Sequence, residues 1–268
     1  MGFSSALYPG ESIIDDSTTE GELVDIANKL GMSRGLELPD DRGDGYGYSG
    51  TADQFPAELL IPESEWEPRV KEMEERKTRT SDLVQQAGLP HKDQNGTNFC
   101  WINAPTYAME VTRVIQNQPM VILSPASCGS IIKGFRNNGG WGLEGLRFIS
   151  NRGVVPVSMW PANAIKKQYD TPAAWEEAKK YICLEWWEAK PRNFAQHFSM
   201  LLRRASCAVG LNYWSHEVTD EDPVFLDGEP CVRFRNSWKG YGTNGYAIRR
   251  GNKKFADDCV APRVAVAA

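Results

Sequence analysis

The segment Asp93-Gln94-Asn95-Gly96-Thr97-Asn98-Phe99-Cys100-Trp101 sets one cysteine at the mouth of a helically periodic run, with Trp101, Ala104, Ala108, Val111 and Ile115 on one face. A thiol at a helix N-terminus feels the positive end of the peptide dipoles and the unpaired amides of the first turn, and both favour thiolate. The chemistry on offer is nucleophilic attack on a carbonyl carbon, which needs a base or ion-pair partner. The chain has three histidines. His197 falls in the helical stretch Phe194 to Arg204, where a surface or packing role is expected, and His91 lies close to Cys100 in a loop where solvent exposure is expected. His216 stands in Ser215-His216-Glu217, after an apolar strand and before an acidic turn at Asp220 to Asp222. Twenty residues beyond it come Asn236-Ser237-Trp238 and a glycine-rich run ending in Asn244-Gly245-Tyr246.

At these positions the chain resembles the papain family of cysteine peptidases. Gln94 lies six residues before Cys100 and Trp101 directly after it, His216 is the distant strand histidine, and Asn236, Ser237, Trp238, Gly242, Asn244, Gly245 and Tyr246 keep the family's order. Asn138-Gly139-Gly140 matches the glycine pair that lines the family's substrate cleft. The resemblance covers Ser81 to Gly251. It implies an α+β fold in which a helical subdomain carrying the nucleophile helix packs against an antiparallel β subdomain, with the active-site cleft between them. It further implies Cys100 as nucleophile, His216 as ion-pair partner and acid, and Asn236 as the group that orients the imidazole under the cover of Trp238. Gln94 and the Cys100 amide would form the oxyanion hole, and Gly139 and Gly140 would pair with an extended peptide. Glu217 either favours a basic or polar side chain in the neighbouring pocket or is simply exposed.

Several positions depart from the family. Thr97 and Asn137 replace a disulfide-bonded cysteine pair, so hydrogen bonds are expected to hold the cleft loop. The spacing from Cys100 to His216 is shorter than the roughly 130–150 residues of the papain pattern. Pro105 is expected to bend the nucleophile helix. Lys239 replaces a glycine and Ser215 an acidic residue.

The elements that must position these groups are read from pattern. Helices are expected over Glu20 to Leu30, Pro62 to Arg79, Trp141 to Ser150 and Phe194 to Arg204, and strands over Cys207 to Tyr213, Cys231 to Arg235 and Gly245 to Arg249. Met120 to Leu123 is a short apolar piece. Pro39 to Pro56 reads as an extended loop, in which Arg42-Gly43-Asp44 is turn chemistry. Helices early and strands late again give α+β.

The 268 residues divide into an extension, 1–80, and a peptidase-like domain, 81–268. The extension is expected to dock an assembly partner, with an inhibitory propeptide as the other reading. A hydrophobic share of 41% and a net charge of -5 indicate a globular chain and argue against nucleic acid or an anionic membrane as partner. Six cysteines with no CxxC pair exclude a disulfide scaffold and have the wrong spacing for zinc, so neither metal nor cofactor is expected. With no basic, apolar leader at the start, a reducing cytoplasmic location is expected. Function is read as thiol-dependent hydrolysis of a peptide or protein substrate. The alternative is a weak or inactive papain-fold protein with a structural or assembly role, such as a viral or phage particle component.

Overall fold

A computed structural model of the chain describes residues 8–38 and 53–266. Most of the expected Pro39 to Pro56 loop, including Arg42-Gly43-Asp44, lies outside the described residues. The strands are β1 (Ser12–Ile14), β2 (Asp53–Gln54), β3 (Cys183–Glu188), β4 (Cys207–Leu211), β5 (His216–Leu226), β6 (Glu229–Arg235), β7 (Tyr246–Arg249) and β8 (Asp258–Ala265). They form one sheet in the order β1-β7-β6-β5-β4-β8-β3-β2. The six central strands pair antiparallel, while β1 on β7 and β2 on β3 are parallel. Both edges of the antiparallel sheet are thus covered by strands from the N-terminal region, which removes two rows of unpaired backbone groups.

The sheet separates two cores. On one face α1 (Glu20–Leu30) and α8 (Phe194–Leu202) bring Leu23, Ala27, Met200 and Leu201 against Val209, Leu211, Trp214, Phe234 and Trp238. On the other, α4 (Cys100–Ile115), α5 (Pro125–Ile132) and α6 (Gly142–Arg152) pack on Ala208 and Val260. β4 is therefore buried on both sides, which explains its unbroken apolar sequence. The short α2 (Trp66–Glu75) buries Trp66, Val70 and Met73, and α3 (Thr80–Ala87) precedes the loop to α4.

Pro105 sits within a continuous α4. Its ring removes the donor that would have met the Trp101 carbonyl, and α6 approaches that carbonyl through Gly145, where a β-carbon would lie 3.2 Å from it. At Lys239 the left-handed backbone conformations fall instead on Gly240 and Gly242, with φ of 82° and 49°, so the lysine is accommodated on the surface.

The largest difference from the sequence reading is β5. Asp220 to Asp222 form no turn; they run through the middle of an 11-residue strand and are wholly buried. Each carboxylate there has a partner supplied by another element. Asp220 pairs with Arg249 and lies 3.0 Å from His197 Nε2. Glu221 accepts from the Tyr246 hydroxyl at 2.8 Å. Asp222 accepts from Arg233 at 3.0 Å and from the Ser81 amide at 3.0 Å. Arg233 also holds Glu11 at 2.6 Å, tying the chain just ahead of β1 to the sheet. β3 and β8, and α3, α5 and α7 (Pro172–Ala178), likewise went unread, because their apolar positions show neither clear period.

Arg233→Met leaves Asp222 and Glu11 without their shared cation. Denaturant unfolding of this variant is expected to show a loss of about 3–5 kcal/mol, the usual result of removing one partner of a buried ion pair. A loss below about 1 kcal/mol, the range of surface pairs, would mean that the cluster is solvated.

Candidate active site

α1 delivers the chain to the cleft. Thr19 and Glu22 cap its start reciprocally, and Gly31, in the left-handed conformation at φ 66°, ends it and turns the backbone towards the nucleophile helix. Residues Ser33 to Glu37 then cross between α4 and β5. The Gln94 side-chain amide donates to the Ser33 carbonyl at 2.9 Å, and the Gly35 amide donates to Cys100 Sγ at 3.3 Å. Gly140 N–H meets the Gly35 carbonyl at 2.9 Å, Glu37 N–H meets the Gly140 carbonyl at 2.8 Å, and Leu36 N–H meets the Ser215 carbonyl at 3.3 Å. The strap pairs in parallel with Gly140. A β-carbon on Gly35 would stand 1.9 Å from the Asn98 carbonyl oxygen, and one on Gly139 2.5 Å from Glu37, so glycine is sterically required on both sides of this pairing.

The predicted residues fall around this strap. Cys100 opens α4 and is fully buried. His216 opens β5, with its Nε2 2.8 Å from Asn236 Oδ1 and the Trp238 ring packed against it, tilted by 36°, at a ring separation of 4.3 Å. Trp214 closes the other side of the ring at 5.1 Å, and both tryptophans are wholly buried, so water is excluded from the His216–Asn236 bond. Gln94 is held from three sides: its amide group donates to Ser33 and Thr97, its Oε1 accepts from Ser237 at 2.7 Å, and its backbone amide bonds Ser237 O at 2.9 Å.

Electrostatics differ from the expected thiolate–imidazolium pair. Burial pushes the Cys100 thiol up to about 12, reinforced by the Glu217 carboxylate, against which the amide bond from Gly35 is a smaller opposing effect. Burial pushes His216 down to about 3. The helix dipole does not win here because the strap has removed solvent from both groups, leaving a neutral thiol and a neutral imidazole. His216 Nδ1 carries no hydrogen bond, so the sulfur's contact is with Gly35 and not with the ring.

Glu217 is not exposed: it is fully buried, and a β-carbon on Gly142 would lie 2.1 Å from its Oε1. Burial, with the Asp258 carboxylate adding to it, holds its carboxyl well above the ordinary range. In the sheet Gly210 stands directly opposite Glu217 on β5 and Asp258 on β8. The missing side chain at Gly210 leaves a notch between these carboxyl groups, and Leu36 of the strap fills it, its Cδ1 3.3 Å from where a β-carbon would be.

Of the other two histidines, His91 departs from expectation and His197 takes the packing role. His91 is partly buried and its Nε2 lies 2.5 Å from the Asn236 carbonyl, propping the backbone of the residue that orients His216. Its position two residues before the acidic-amide segment at Asp93 gave no sign of this. His197 is buried on the far side of the sheet beside Asp220. The cleft loop is tied by hydrogen bonds, but through Asn98 rather than Thr97: Asn98 N–H donates to Asn137 Oδ1 at 2.7 Å and Asn98 Nδ2 to the Asn137 carbonyl at 2.9 Å.

No family model and no curated protein sequence matches the chain. Solved structures do. Procathepsin B S9 from Trypanosoma congolense aligns with a TM-score of 0.61 at 13% identity over 90% of this chain and 89% of that one. Digestive procathepsin L 3 of Tenebrio molitor aligns at 0.59 and 13% identity over 90% and 79%, and xylellain, a cysteine protease from Xylella fastidiosa, at 0.56 and 15% over 86% and 95%. With a helical layer carrying Cys100 against an antiparallel-dominated sheet carrying His216 and Asn236, the chain has the papain-like cysteine protease fold.

Proposed function

We propose that the chain is a thiol peptidase held latent by its own residues 33–37. The observation that carries this reading is the Gly35 backbone, seated on Cys100 Sγ while the Gln94 amide holds the Ser33 carbonyl. A peptide in that place is inhibitory and not a substrate, because the sulfur meets an amide proton where attack would need a carbonyl carbon. When the strap leaves, water and the helix N-terminus restore the conditions under which Cys100 ionises beside His216. Cys100 then attacks the scissile carbonyl, Gln94 Nε2 and the Cys100 amide stabilise the oxyanion, and His216, aligned by Asn236, protonates the leaving amine. Hydrolysis of the thioester by water, activated by the same imidazole, returns the free thiol. Gly140 offers one N–H and one C=O to an extended substrate, as it does to the strap.

The notch at Gly210 favours a substrate with a basic side chain. Leu36 leaves Glu217 protonated in an apolar setting; an Arg or Lys side chain in its place ionises Glu217 and gains a charge-assisted hydrogen bond.

Gly35→Val prevents the strap from seating. An overpacking penalty of about 1–3 kcal/mol raises the open population about 5- to 150-fold. Cys100 alkylation at neutral pH, followed by peptide mapping, is expected to accelerate by that factor over the intact chain, with peptidase activity appearing in parallel. His216→Ala in the same background removes both gains. An accelerated thiol without turnover on a peptide panel supports the structural-protein reading instead, and an unchanged labelling rate shows that residues 33–37 do not gate the sulfur.

On the Gly35→Val enzyme, peptide amides with Arg or Lys at the position entering the notch are expected to exceed their Leu counterparts in kcat/KM. Glu217→Gln lowers the basic preference by about ten- to hundredfold, the value of a hydrogen bond to a charged group. Equal loss for Leu and Arg substrates would show that Glu217 only supports the fold.

A further inference from the structure

Behind the sheet from α4, four elements bring donor side chains to one point that the proposed chemistry does not use. Cys207 lies on β4, Cys259 on the neighbouring β8, and His197 on α8, which packs over them. Asp220 stands directly opposite Cys207 on β5. One donor atom each from His197, Cys207 and Cys259 lies within 4.8 Å of the other two, and all three residues are buried. Neither ring nitrogen of His197 has a hydrogen-bond partner. Asp220 Oδ2 lies 3.0 Å from Nε2 and is balanced by Arg249.

We propose that His197, Cys207 and Cys259 bind a thiophilic d10 cation, zinc(II) or copper(I), as a structural site in the core. A buried imidazole nitrogen without a partner is costly, and here it faces two thiols instead of a donor or a water. With Nδ1 on the metal, the Asp220 carboxylate 3.0 Å from Nε2 would hold the proton on that nitrogen, the usual carboxylate support of a metal-bound histidine. Zinc sits about 2.3 Å from sulfur and about 2.0–2.1 Å from nitrogen, which places tetrahedral donors about 3.5–3.8 Å apart. The existing cluster reaches that spacing by closing about 1 Å. Binding zinc(II) expels two thiol protons to solvent and leaves the site neutral beside an already balanced Asp220–Arg249 pair. Three protein donors match the coordination copper(I) accepts, and zinc(II) takes a fourth. Sequence spacing does not reveal the set because its members are gathered from a helix and two strands by the sheet register.

The test is elemental analysis of the chain purified under reducing conditions without chelator, in a Cys100→Ala background so that the nucleophile cannot contribute. About one zinc or copper per chain is expected, and the analysis identifies which. Adding cobalt(II) to the chelator-treated chain should give thiolate-to-cobalt charge-transfer absorption. Cys207→Ser with Cys259→Ser is expected to abolish both signals, and His197→Ala to weaken the cobalt spectrum. A metal-free chain that takes up neither zinc, copper nor cobalt overturns the proposal, whatever the variants do. So does full metal retention in the double serine variant, or an intact mass two hydrogens short, which would place a disulfide between the two cysteines.

Discussion

The Gly35 amide on the Cys100 sulfur is the contact around which the cleft is arranged. It requires a backbone without a β-carbon, because the Asn98 carbonyl lies where that carbon would be. It requires the Asn98 loop to stay in place, which the paired bonds to Asn137 ensure in the absence of a disulfide. It fixes the register of the strap, so that Leu36 falls in the notch at Gly210 and Glu37 meets Gly140. The same contact sets the electrostatics. Once the strap excludes water, burial outweighs the helix dipole and both Cys100 and His216 lie on the neutral side of their ordinary ranges.

A second constraint supports the first from below. β5 carries His216 at its start and three consecutive acidic residues in its middle, and the strand exists only because Arg249, Tyr246, Arg233 and Ser81 arrive from other elements to satisfy them. Those partners come from β6, β7 and the start of α3, so the position of His216 is coupled to the assembly of the whole sheet. Through Arg233 and Glu11 the coupling extends to the chain ahead of β1, and β1 leads through α1 into the strap. The N-terminal region is consequently built into both sheet edges and into the cleft between them.

This explains what was legible in the sequence and what was not. Cys100, Gln94, His216 and Asn236 were legible as motif residues because of their order and spacing, and α1, α2 and α6 because each has one apolar face against one core. β5 was not, since a run of buried carboxylates reads as a turn until its cationic partners, distant in sequence, are known. His91 and Gly35 were missed for the same reason: each matters through one tertiary contact, with the Asn236 carbonyl and with Cys100, and neither leaves a periodic trace. Glu217 was placed beside the pocket, but its burial follows from the glycine opposite it on β4 and the glycine of α6 above it, a coincidence of two elements that no single segment records.

In the closed cleft, burial leaves both the Cys100 thiol and the His216 imidazole neutral. Around them Asn236 holds His216 at 2.8 Å, two tryptophans shield that bond, and Gln94 is locked on three sides with its amide aimed at a carbonyl oxygen. Every one of these contacts is independent of residues 33–37 except the last, where the Ser33 carbonyl occupies the place of a polar ligand. On the proposed reading, removing the strap would leave an organised pair of donors and an oriented imidazole, and return solvent to a cysteine at a helix N-terminus. A buried glutamine satisfied at every polar atom and a glycine strap seated on the cysteine are the two features on which the proposed latency rests.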